Sequence, residues 1–184
     1  MAFWKSGDVE PKRNFRFQVQ LGAGNSAPVQ WWAKTVTLPS WDLAEVEHNY
    51  LDNKYYFPGR VTWNDVSLTL VDPISIDAVS VTNNILVSQN YAVKTNSSTV
   101  APTITHGVTG TGALNCIISV FDAAGLPLEV WTLNRPFIKS AKFGDLDYSN
   151  DDLKTVELTL RYDWATCDTT KNTHANVAPS PFFS

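Results

Sequence analysis

Apolar and polar side chains alternate strictly in NFRFQVQL, residues 14–21. Phe15, Phe17, Val19 and Leu21 interleave with Arg16, Gln18 and Gln20, the period-two signature of a half-buried strand. GAGNSAP then turns the chain. Residues 31–37 predict a second strand, with Trp32, Lys34 and Val36 on one face and Ala33 and Thr35 on the other, stopped by Pro39. Residues 43–57 alternate less cleanly, setting Leu43, Glu45, Glu47 and Asn49 against Ala44, Val46, His48 and Tyr50. Asp52-Asn53 is expected to turn the chain back into residues 54–57, giving a long hairpin that reaches past the core. In DVSLTLVD, residues 65–72, Val66, Leu68 and Leu70 oppose Ser67, Thr69 and Val71, and Asp72-Pro73 ends the run.

The period changes over residues 76–93. Val79, Asn83, Leu86 and Asn90 share one helical face, and Ser75 and Asp77 suit a helix start. Residues 94–112 form a polar, Gly-rich loop, long enough to suggest a partner-held segment. Residues 114–133 read as a hairpin turning at Asp122 to Gly125, with Cys116, Ile118 and Val120 on one face. FIKSAKF (137–143) is a short strand, residues 144–154 an acidic turn region, and residues 155–164 the last strand. Its Val156, Leu158, Leu160 and Tyr162 point inward, against Glu157, Thr159, Arg161 and Asp163. Seven or eight strands with one helix predict a mainly β fold: an antiparallel β-barrel or two packed sheets with one flanking α-helix, a long hairpin and extended termini. The expected organisation is an extended N-terminal arm over residues 1–11, a β-domain over 12–165 and a C-terminal arm over 166–184.

Composition sharpens this picture. The chain has 184 residues, enough for one domain with extensions. Charged residues are only 17%, below the roughly 25% usual in soluble domains, while aromatic residues reach 12%. Burial against other subunits is a reasonable use for the surplus rings. The net charge of −4 argues against sequence-independent nucleic-acid binding, which needs a positive field. No segment has the length of a signal peptide's apolar region or of a membrane span. The chain is therefore expected to be made and used without secretion by the general route.

Candidate chemistry is sparse. His48, His106 and His174 lie far apart without ligand-spaced neighbours. Cys116 sits in an apolar run as a small core side chain, and Cys167 lies in a polar tail where it is free to be exposed. GVTGTG at 107–112 lacks the Lys-Ser/Thr of a phosphate loop. Asp145, Asp147, Asp151 and Asp152 lack calcium-loop spacing and read as a solvated charge cluster. No catalytic residue, cofactor or metal is expected. One alternative is a monomeric carbohydrate-binding module that stacks sugar on Trp31, Trp41, Tyr55 and Tyr56.

Four segments in order carry a resemblance: NFRFQVQL (14–21), AKTVTLP (33–39), YYFPGRVTWNDVSLTLVDP (55–73) and WTLNRPFIKSAKFGDLDYSNDDLKTVELTLRYDW (131–164). Over about residues 12–165 the chain resembles the tail tube protein of contractile-tailed bacteriophages, related in fold to the type VI secretion tube protein. The resemblance implies a virion protein whose six copies form a ring. Rings stack into a hollow tube for genome ejection, assembled in the host cytoplasm. The implied partners are further copies of the chain, a tail sheath outside, baseplate and terminator proteins at the ends, and no membrane. The tape-measure protein and double-stranded DNA would pass through the lumen without specific binding. A tube-end or baseplate protein of the same fold is the nearest alternative. By the same resemblance, the hairpin around residues 45–56 contacts the next ring. Pro58, Gly59, Arg60, Trp63 and Asp65 match its close, Lys34, Leu38 and Pro39 the end of the second strand, and Asp145, Leu146 and Asp147 the turn before the last strand.

The expected interface residues are Glu45, Glu47, Tyr50, Tyr55, Tyr56, Phe57 and Arg60 on the hairpin, with Phe3 and Trp4 at the amino end and Phe182 and Phe183 at the carboxyl end. Phe3 and Trp4 are open to a second reading, packing against the chain's own body. Arg60 is expected to find an ion-pair partner within the chain or across an interface, a simple exposed role being the alternative. Glu45, Glu47, Glu129, Asp147 and Glu157 are outward-face candidates for a neutral-to-negative lumen, because a channel that releases DNA quickly avoids a positive lining.

Overall fold

The computed structural model describes residues 12–23, 33–74, 78–89, 114–149 and 151–169. Along these the elements are β1 (Phe17–Ala23), β2 (Ala33–Val36), β3 (Trp41–Tyr50), β4 (Asn53–Trp63), β5 (Val66–Val71), α1 (Ala78–Ser88), β6 (Leu114–Phe121), β7 (Pro127–Asn134), β8 (Phe137–Lys142), β9 (Thr155–Arg161) and β10 (Trp164–Asp168). Two four-stranded sheets, ordered β1-β6-β7-β10 and β2-β5-β9-β8, pack face to face, and β3 and β4 pair only with each other. The strand pairs are antiparallel. The fold is mainly β with a single described helix, as the alternation patterns predict.

The core follows directly from those patterns. Val19, Leu21, Cys116, Ile118, Leu133 and Ala165 of one sheet meet Val66, Leu68, Leu70, Val156, Leu158 and Leu160 of the other. Asp122 shapes the β6–β7 turn by accepting the Ala124 and Leu126 N–H groups at 2.8 Å each. Gly125, at φ +80°, completes that turn.

Three elements differ from the sequence reading. The described helix closes at Ser88, and the buried stripe is Ala78, Thr82, Ile85 and the following Gln89 in place of a Val79–Asn83–Leu86 face, Asn90 lying outside the described residues. Asn83 is exposed and Leu86 half-buried. Thr82 tolerates burial because its hydroxyl donates to the Ala78 carbonyl at 2.8 Å. Asp72 caps the helix, accepting the Ala78 N–H at 2.8 Å. The expected starters Ser75 and Asp77, and the 94–112 loop, lie outside the described residues. The β9 strand ends at Arg161, and the chain then enters β10, a strand the pattern did not signal. Cys167 consequently sits half-buried in β10 and not in an exposed tail. Finally, the hairpin is longer than expected, running from Trp41↔Trp63 to Tyr50↔Asn53, so Leu51 and Asp52 form its turn and not Asp52-Asn53.

Candidate assembly surface

The β3–β4 hairpin stands apart from both sheets. Its register sorts the side chains onto two faces, since directly opposed residues project to the same side. One face carries Val46, His48, Tyr50, Tyr55 and Phe57. The other carries Trp41, Leu43, Glu45, Glu47, Tyr56 and Val61, with Lys54 bound to Glu47 at 2.9 Å. A bulge between Leu43 and Glu45 keeps these sets in phase by giving β4 one extra residue. Gly59 makes this possible, because an added β-carbon would stand 2.8 Å from the Ala44 carbonyl oxygen. Val46, Tyr50, Tyr55 and Phe57 are each 48–61% exposed, an apolar face left open in the single chain. At the tip Leu51 adopts φ +53° and is exposed, a conformation uncommon for a side chain of its size.

The hairpin base is fixed by side chains from several elements. Trp63 packs its ring 5.9 Å from the Tyr162 ring at 58°. Asn64 donates its backbone N–H to the Ser40 carbonyl at 2.9 Å and its amide to Asp42 Oδ2 at 2.9 Å. Asp65 binds Lys139 of β8 at 2.6 Å and Arg161 of β9 at 2.9 Å. These two cations, Lys139 first, hold the Asp65 carboxyl below the ordinary aspartate value. The projecting ribbon thus leaves a rigid root.

A second exposed zone lies between β8 and β9. Gly144, at φ +71°, turns the chain out of β8, and a β-carbon there would meet the Thr155 carbonyl oxygen at 2.9 Å. Phe143, Leu146, Tyr148 and Leu153 are all exposed along this loop. With Lys34 the loop borders a hollow of about 610 Å³. A separate cleft of about 480 Å³ opens between the start of β1 and β2.

The expected residues fall as follows. Glu45, Glu47, Tyr50, Tyr55, Tyr56, Phe57 and Arg60 are all exposed on the hairpin. The register splits the rings, placing Tyr56 with the glutamates and Tyr50, Tyr55 and Phe57 opposite. Arg60 makes no ion pair among the described residues. Phe3, Trp4, Phe182 and Phe183 lie outside the described residues. Glu129 does not fit the outward-face reading: its register partner is Val120, Lys12 binds it, and Trp131 Nε1 donates to it at 3.3 Å. Sequence reasoning missed the exposed Leu43, Leu51 and Val61, whose only signal was their place on the hairpin. Cys116 is buried, and desolvation pushes its thiol up to about 12, which removes it as a nucleophile. Among the described residues no three His, Cys, Asp or Glu side chains gather as a metal site, and no helix is long and apolar enough to cross a membrane.

No family model and no curated protein matches the chain. Solved structures do. A chain of the anti-feeding prophage tube-terminating cap is similar with a TM-score of 0.63 at 17% identity, covering 92% of this chain and 99% of that one. A chain of the sheath-tube complex of an extracellular contractile injection system (PVC) gives 0.59 at 19% identity, covering 88% and 95%. The SPP1 tail tube gives 0.56 at 11% identity, covering 91% and 87%. At these identities the likeness shows the fold alone, one shared with the SPP1 tail tube and with chains of the anti-feeding prophage cap and the contractile injection system.

Proposed function

We propose that this chain is a structural subunit of a contractile tail whose copies form hexameric rings stacked into a hollow tube. The observation that carries this reading is the apolar face of the β3–β4 hairpin, exposed in a chain whose sandwich core is complete without it. Among the described residues each sheet also ends in strands with one unpaired edge, β1 and β10 in one and β2 and β8 in the other. Unpaired edges invite pairing, and a closed ring removes them. Head-to-tail contact between rings does not close, so a filament grows. The hairpin's exposed residues, including Arg60, supply that contact.

In this reading a sheath surrounds the tube, and baseplate and terminator proteins bound it in the virion tail. The tape-measure protein and the genome pass through a neutral-to-negative lumen that grips neither. Net charge −4 supports a non-gripping conduit. A second reading, a subunit that ends the tube, is favoured by the likeness to the tube-terminating cap.

Electron microscopy of the purified protein tests both. Hollow filaments of uniform width are expected for the tube subunit, and single rings that do not elongate favour the terminator. A chain that stays monomeric at high concentration overturns both readings and returns the exposed rings to a monomeric sugar-binding module.

A further inference from the structure

Building on the tube reading, we infer that the β8–β9 loop of one copy seats in the cleft between the start of β1 and β2 of a neighbouring copy. The two surfaces are complementary in chemistry. Phe17, Val36, Leu38 and Val120 supply apolar lining to the cleft, and Arg13 and Lys34 are cations on its wall. Lys12 is already bound to Glu129. Arg13 and Lys34 make no ion pair among the described residues. The loop offers the matching pattern, Asp145-Leu146-Asp147-Tyr148, in which carboxylates alternate with exposed apolar side chains. Neither Asp145 nor Asp147 has a cation partner among the described residues; the Asp147 carboxylate accepts the Ser149 N–H at 3.0 Å and the Ser149 hydroxyl.

Contact within one chain leaves both surfaces unsatisfied. The loop stands beside Lys34 across the larger hollow, yet Leu146, Tyr148 and Leu153 remain 72–112% exposed. A projecting loop gains nothing from such residues alone, so a second copy is the occupant that gives them a use. The cleft is also large enough for side chains of this size. Complementary charge at such a contact fixes register and rejects wrong orientations.

Charge reversal on each side tests the pairing. D145K/D147K and R13E/K34E chains should keep their circular dichroism, because all four side chains are exposed. Each should raise the concentration needed for assembly by about 100-fold, the effect of like charges facing each other. The chain carrying all four reversals should assemble again, a rescue that a merely structural role would not give. Carbodiimide cross-linking of mixed heavy- and light-isotope wild-type chains should join Lys34 of one copy to Asp145 or Asp147 of another. Single reversals that assemble like wild type, a fourfold variant that stays monomeric, or cross-links confined to one isotope would overturn the inference. The tube reading survives those results as long as wild-type chains form filaments, and it fails separately if they form none.

Discussion

Gly59 and Ala44 approach so closely in the hairpin bulge that the backbone leaves no room for a methyl group. Gly59→Ala should therefore force the two strands apart, at a cost of about 1–3 kcal/mol typical of overpacking. That cost falls on the ribbon and not on the sandwich. Hydrogen exchange should show faster exchange of hairpin amides, while the global unfolding midpoint stays close to wild type. A large drop in the midpoint would mean that the hairpin and core unfold as one unit. Asp65 makes the opposite case, a side chain whose charge ties elements together. Its folded pKa lies below the ordinary value because Lys139 and Arg161 bind the carboxylate. Such a group contributes stability above its unfolded pKa and loses it as pH falls through the folded one. Asp65→Asn should cost about 1 kcal/mol at pH 7, the scale of exposed ion pairs, with the difference from wild type vanishing well below pH ~4. Urea unfolding at both pH values checks the sign: an equal loss at low pH would assign the effect to hydrogen bonding and not to charge.

At the scale of elements, α1 separates pattern from packing. Ile85→Ala should destabilise by about 2–5 kcal/mol as a cavity forms, while Asn83→Ala should stay within about 0.5 kcal/mol. Thermal unfolding of the two variants tests which stripe of the helix faces the sandwich. Apolar periodicity pointed to Val79 and Leu86 because the buried stripe contains Thr82 and Gln89, whose polarity hides it. The same physics explains β10. Its inward positions are the small Ala165 and Cys167, while its largest side chain, Trp164, is exposed. A strand whose large ring faces out and whose small residues face in shows no amphipathic signal. The strands β1, β5, β6 and β9 were legible because branched and aromatic residues fall on one face and polar ones on the other. The hairpin was legible as a hairpin, and so was the alternation along its first strand, but not the sorting of the rings on its second. Its turn was not, since Leu51 occupies a positive-φ position that sequence preference assigns to Asn, Asp or Gly. The bulge was equally hidden: one extra residue in β4 between Pro58 and Val61 is what keeps Val61 and Trp63 on the same face as Tyr56.

At the scale of the molecule, the chain divides its apolar residues between a finished core and an unfinished surface. The core closes with Leu21, Leu68, Ile118, Leu158 and Leu160 almost wholly buried, and none of these depends on the hairpin rings. Tyr55 and Phe57 share the open face and sit two residues apart on β4. Tyr55→Ser/Phe57→Ser should therefore leave circular dichroism and the unfolding midpoint unchanged. If each ring is buried between copies, it contributes roughly 1.5–3 kcal/mol to assembly. Losing both then costs at least about 3 kcal/mol per subunit, which is about a 100-fold rise in the concentration at which filaments form. Sedimentation across a concentration series measures that rise directly. Tyr56→Ser provides the internal comparison, since its side chain lies on the glutamate face. If the apolar face makes the ring-to-ring contact, the double variant should stay in the supernatant at concentrations where Tyr56→Ser still pellets. Equal loss from both would place the contact on both faces of the ribbon, with a neighbour wrapped around it. Unfolding of the double variant would instead return the two rings to the chain's own interior and remove the hairpin as an assembly surface.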